Sequence, residues 1–139
     1  MYQYACRINK VLDGDTVDID LDLGFNIILA NQHVRMTGID TPESRTSNKE
    51  EKPRGLLSKK KLSEQLPVGS WQKITTSRPD NNDDKFGRIL GEFILEDGTN
   101  VNQWLIKNNY AVAYQGENKE LVQEQHQANK KILIKRGEL

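Results

Sequence analysis

Val17, Ile19, Leu21 and Leu23 alternate with Asp18, Asp20 and Asp22, and a period of two marks a strand with one buried face. Just before it, Asp13-Gly14-Asp15 reads as a turn in which Gly14 is free to take positive φ. The chain therefore opens as a hairpin, over about residues 3–12 and 16–23. Gly24 and Asn26 mark the next bend, and residues 27–39 are expected to hold a third strand. Residues 44–53 are polar without apolar period and read as a mobile loop. Leu57, Leu62 and Leu66 predict a helix over 55–65 with a Lys-rich outer face, stopped by Pro67 and Gly69. Residues 70–77, rich in Trp, Ile and Thr, predict a fourth strand; 79–85 form an Asp- and Asn-rich turn, and 87–96 a fifth strand closed by Asp97-Gly98. Asn100 caps a second helix carrying Val101, Trp104, Leu105 and Asn108 at helical spacing. Residues 110–114 are short and extended. Glu117 or Asn118 opens a third helix whose expected inner stripe is Leu121, Val122, Gln125, Ala128 and Ile132.

Five strands followed by helices on one side predict an α+β fold, a five-stranded OB-type barrel with three helices, in one domain spanning residues 1–139. Only 35% of the residues are hydrophobic, so the core is small and the surface charged. No apolar run reaches the roughly 18 residues that span a bilayer. The first seven residues have no apolar stretch, so no signal peptide is visible. With Met1 as the native start the product is cytoplasmic; if the chain is a trimmed mature form, it is secreted. The lone Cys6 excludes an intrachain disulfide, and its alternation with Tyr4 and Ile8 predicts an inert, buried thiol.

Twenty Lys and Arg balance twenty Asp and Glu, which argues mildly against a nucleic-acid binder, a class that is usually basic. The distribution changes the picture. Asp13, Asp15, Asp18, Asp20 and Asp22 cluster early, whereas Lys59–Lys61 and later Lys130, Lys131, Lys135 and Arg136 form basic groups. A divalent-cation site needs local acid, which hides basicity elsewhere in a simple sum.

Three segments carry candidate chemistry: Leu12-Asp13-Gly14-Asp15-Thr16-Val17, Arg35-Met36-Thr37-Gly38-Ile39-Asp40-Thr41-Pro42-Glu43, and Asp84-Lys85-Phe86-Gly87-Arg88. Each joins a strand end to a turn, so their side chains can converge on one rim of a barrel. Asp15 and Asp40 are hard oxygen donors suited to Ca²⁺ or Mg²⁺. Thr41 precedes a proline and is biased to extended backbone, which can offer its carbonyl as a further ligand while Pro42 fixes where Glu43 points. Arg35 and Arg88 carry planar forks that match phosphate oxygens. Taken singly, Asp-Gly is a common turn and Thr-Pro-Glu a common helix start; order and spacing together are more specific. Asp18, Asp20 and Asp22 do not form a calcium loop, because Gly24 and Leu29 fall at the wrong positions. His33 and His126 lack partners at metal spacing and read as structural or exposed, and Lys59–Lys61 as a solvated helix face.

In this combination the sequence resembles the thermonuclease family, the calcium-dependent, staphylococcal nuclease-like enzymes with an OB-fold barrel and three helices. The likeness runs from about Ile8 to Leu133 and includes the Val112-Ala113-Tyr114 segment. It implies Asp15, Asp40 and the Thr41 carbonyl as Ca²⁺ ligands, Glu43 as general base, and Arg35 and Arg88 on the reacting phosphate. It further implies Lys85 and Tyr114 as contacts to the nucleotide and Asp13 in the outer shell of the metal site. The expected activity is hydrolysis of DNA and RNA, single-stranded or locally opened, by cleavage of P–O5′ to leave 3′-phosphate ends. Phe86 and Gly116 stand where the family often has tyrosines, which weakens the expected nucleotide contacts. A noncatalytic OB-fold module that binds nucleic acid or protein is the alternative. A monomer without membrane association is expected, since the sequence shows no unaccounted apolar stripe.

Overall fold

The computed structural model describes residues 2–76, 87–116 and 118–139. The opening hairpin forms as expected from β1 (Tyr2–Asp13) and β2 (Thr16–Asp22), with Cys6 opposite Leu21, Ile8 opposite Ile19 and Val11 opposite Val17. A register shift between Ile8 and Lys10 moves the buried positions from 6 and 8 to 11. Such a bulge adds twist, which helps the sheet curl toward closure. Cys6 is fully buried and burial pushes its thiol up to about 12, consistent with an inert core residue.

β3 (Ile28–Met36) lies antiparallel to β2, placing Arg35 opposite Thr16. The strand expected over 27–39 is broken at Thr37-Gly38, where Gly38 takes φ +78. Thr37 still donates its N–H to the Gly91 carbonyl at 2.9 Å, the last bond between β3 and the strand beside it before the break. Beyond the break lies β4 (Ile39–Asp40), two residues paired with β7 (Val112–Ala113).

The helix expected from Gly55 begins earlier, as α1 (Glu51–Gln65). Asn48 Oδ1 accepts the N–H groups of Glu50 and Glu51 at 2.9 and 3.1 Å. Pro53 falls in the first turn, where a missing N–H costs nothing because no intrahelical acceptor exists for it. The segment 44–53 is thus partly a capped helix start. Leu62 and Leu66 enter the core, as their spacing predicted.

β5 (Trp71–Thr76) and β6 (Ile89–Ile94) complete a closed barrel in the order β1-β2-β3-β6-β5, with β5 returning to β1 and β6 parallel to β3. The turn expected over 79–85, with Lys85 and Phe86, lies outside the described residues. α2 (Val101–Lys107) is capped by Asn100, whose Oδ1 accepts from Gln103 N–H at 3.2 Å. Among the described residues the third and last helix is α3 (Lys119–Lys135), capped by Asn118.

The inner face of α3 departs from expectation. Leu121 and Ile132 are exposed, as are Gln125 and Ala128, while Val122, His126 and Leu133 are buried. The buried spacing of four and seven is helical, but its middle member is polar, so hydrophobicity pointed about one residue off. Ile8, Ile19, Val34, Met36, Ile74 and Phe93 fill the barrel, and Leu62, Leu66 and Leu105 join it to the helices.

Candidate active site

The turn between β1 and β2 is buried, and Gly14 is required there for space rather than for positive φ. A Cβ on Gly14 would stand 2.8 Å from Ser58 Cβ on α1 and 3.0 Å from Thr41 Oγ1. This close approach seats Asp15 inside the protein. Its Oδ1 accepts from Thr16 Oγ1 at 3.0 Å and its Oδ2 from Thr41 N–H at 3.2 Å. Burial raises the pKa of the Asp15 carboxyl; Arg35 opposes that rise, and the neighbouring Asp40 charge adds to it.

Arg35 binds the pieces together. Its Nη1 and Nη2 donate to the carbonyls of Met36 and Ile39 at 3.0 and 2.9 Å, stapling the Thr37-Gly38 turn. The same nitrogens lie 3.4 Å from Asp15 Oδ2 and 3.7 Å from Asp40 Oδ1. On its other side Asp40 Oδ2 lies 2.8 Å from Nε2 of buried His126. His126, read from the sequence as structural or exposed, is buried, and α3 delivers it to the Asp40 carboxylate. No apolar periodicity could reveal this; the only signal is the phase of His126 with Val122 and Leu133.

Glu43 is exposed at the rim, and its backbone is tightly fixed. Its N–H donates to Glu51 Oε2 at 2.9 Å. A Cβ on Gly55 would lie 2.1 Å from the Glu43 carbonyl oxygen, so α1 packs backbone to backbone against Glu43-Ser44. Ser44 in turn donates its N–H to Asp13 Oδ1 at 3.0 Å, and its hydroxyl bonds the same oxygen. Asp13 thus holds the chain beside Glu43. Ser44, Glu51, Gly55 and Ser58 were not singled out by the sequence, because their contribution is backbone placement.

Arg88 precedes β6 by one residue, and Leu90 pairs with Arg35. The chain at Arg88 therefore enters the sheet alongside the part of β3 that carries Arg35. Tyr114 is half-buried, and its N–H donates to the Gly38 carbonyl at 2.8 Å, which sets it beside the Arg35–Asp40 segment. Lys85 lies outside the described residues.

The donor set fits a hard divalent cation. Asp15 is a buried carboxylate whose neighbour Asp40 repels it, and Thr41 Oγ1 is buried without a hydrogen-bond partner among the described residues. Like charges held together in a low-dielectric pocket are relieved by a cation between them. No cluster of three or more His, Cys, Asp or Glu side chains suited to a metal occurs among the described residues, so a cation here would draw on backbone oxygen, water and substrate as well.

A model of the family described as Staphylococcal nuclease homologue matches residues 33–133. Endonuclease YhcR of Bacillus subtilis is 32% identical over 115 residues, which cover 81% of this chain and 9% of that protein. An uncharacterized endonuclease of Escherichia coli is 30% identical over 112 residues, covering 81% of this chain and 62% of its own length. The succinoglycan biosynthesis protein ExoI of Rhizobium meliloti is 28% identical over 116 residues, with 81% of this chain and 53% of that protein covered. The chain spans less than two thirds of each of these relatives.

Proposed function

The chain belongs to the staphylococcal nuclease homologue family, and from that premise we propose that it is a Ca²⁺-dependent nuclease hydrolysing phosphodiester bonds of DNA and RNA. The observation that carries this reading is the convergence of Asp15, Arg35, Asp40 and Thr41 at the end of β3, with Glu43 exposed on a fixed backbone beside them.

Asp15, Asp40 and the Thr41 carbonyl would hold the cation, which when bound supplies positive charge that polarises a phosphoryl oxygen. Glu43 takes a proton from the attacking water, directly or by orienting it. Arg35 and Arg88 donate to the phosphate oxygens as charge gathers on them; the staple from Arg35 to Met36 and Ile39 keeps its fork in place before substrate arrives. Lys85, by its motif, and Tyr114 contact the nucleotide. Asp13 acts at one remove, through Ser44. Cleavage falls at P–O5′ and leaves a 3′-phosphate, on substrate that is single-stranded or locally opened. The names of two relatives as endonucleases agree with this reading. A monomer is part of the proposal, although the absence of an unaccounted apolar stripe no longer supports it: the β2–β3 hairpin exposes Leu23, Phe25, Ile27, Ile28 and Leu29.

Digestion of single-stranded DNA and RNA with Ca²⁺, and with EDTA, tests the activity. Binding without cleavage under both conditions would install the noncatalytic OB-fold module instead. Glu43→Gln tests the division of labour: single-turnover cleavage should fall by about 10²–10⁴-fold, the usual contribution of a general base, while Ca²⁺ titrated calorimetrically still binds. Collapse of Ca²⁺ binding along with rate would make Glu43 a ligand.

A further inference from the structure

We propose that His126 is a positioning residue for Asp40, a role that rests on the metal-dependent reading above: by occupying Oδ2 it commits Oδ1 to the shared site with Asp15 and Arg35. An ionised carboxylate only accepts hydrogen bonds, so Nε2 carries the hydrogen and donates it across the 2.8 Å contact. The other oxygen, Oδ1, is the one facing Arg35, at 3.7 Å. The two oxygens of Asp40 therefore have separate duties.

The arrangement needs this help. β4 is two residues long and its pairing fixes the backbone of Asp40 opposite Val112, but not the rotation of the carboxylate. The terminal torsion of Asp is broad and soft. The imidazole, by contrast, is only 3% exposed and rides on a helix that is itself anchored. In the turn after His126, Asn129 accepts from Asn109 Nδ2 at 3.0 Å and donates to the Ala111 carbonyl at 3.4 Å. Lys130 Nζ meets Glu50 Oε1 at 2.8 Å, where α1 begins. Val122 and Leu133 pin the helix on either side. α3, remote in sequence from the three segments that carry the candidate chemistry, thereby fixes the orientation of one carboxylate at the site.

Partners that orient a ligand typically matter 10–100-fold in metal affinity. Calorimetric titration of the full chain with CaCl₂ should show His126→Leu weakened by about that factor. His126→Gln, which keeps an N–H donor at similar reach, should stay near wild type, with both variants melting as cooperatively as wild type without metal. Equal Ca²⁺ affinity in wild type and His126→Leu overturns the inference alone. Equal losses in both variants, tracking a lower melting temperature, would make the residue mere packing and overturn it too. Failure of the wild type to take up Ca²⁺ at all would instead overturn the metal reading, and this inference with it. In metal-free protein the imidazole ¹H–¹⁵N resonances of His126 should move on Asp40→Asn; unmoved resonances would overturn the contact itself, whether or not the leucine variant folds.

Discussion

β2 ends in a tight turn on both sides, and the two turns have opposite fates. At one end Gly14 and Asp15 are buried beneath Ser58 and Thr41, with a carboxylate in the interior. At the other, Gly24, Phe25 and Asn26 all take positive φ in open solvent, and Phe25 is 96% exposed. The usual sorting of polar outward and apolar inward is inverted at both turns. The difference lies in what later parts of the chain cover. α1 and the Thr41–Ser44 segment close over the first turn, and no helix among the described residues covers the second. Burying the Asp15 carboxylate costs stability that Arg35 only partly offsets, whereas a bare apolar tip shows only that nothing in the described chain uses it.

The covered end should be the fragile one. Gly55→Ala is expected to have the largest effect, because its Cβ would meet the Glu43 backbone, which cannot swing away as a side chain can. A loss of about 3 kcal/mol, near the upper end for overpacking, should be measurable by urea denaturation, with cleavage falling alongside; unchanged stability would break the contrast. A smaller effect is expected at Glu50, which joins α1 to α3. Lys130 and Arg54 hold its carboxyl at about 2, below its ordinary 4.5. A carboxyl lowered by folding contributes stability above its unfolded value and loses it as pH falls through the folded one. Glu50→Gln should therefore lower the melting temperature above about pH 5, and the two proteins should converge as pH nears 2. A gap that persists in acid would assign Glu50 a role other than its charge. Least affected should be Phe25→Ser at the bare tip, within about ±0.5 kcal/mol and with unaltered cleavage. Any larger loss would mean that this end, too, is covered in solution.

How much of this was legible divides along the same line. The alternation from Val17 to Leu23 marked β2, Asn100 marked the start of α2, and Asn118 was one of the two starts offered for α3, because local chemistry decides strands and caps. The motif residues Asp15, Arg35, Asp40 and Thr41 do meet in space. What escaped was set by long-range packing. Gly14 read as a turn glycine free to take positive φ, whereas what requires a glycine there is Ser58, far along the chain on α1. The contact of His126 with Asp40 was hidden because the buried face of α3 carries polar residues that hydrogen-bond inward, which no hydrophobic stripe reports. Residues 44–53 read as a loop because they are polar without apolar period, yet the last three of them open α1, whose buried face begins only at Arg54.

The closed barrel also imposes an order of events during synthesis. β1 is flanked by β2 on one side and by β5 on the other, with Tyr2 opposite Thr76. The first hairpin leaves the ribosome with an unsatisfied edge that stays open until residues 71–76 emerge, and an open edge is a template for pairing with other chains. Closure also waits for β6, which connects β3 to β5. Such distant pairings slow folding relative to local ones. A nascent chain halted before Ile94 should therefore remain a sticky ribbon, and the finished barrel should present no such seam.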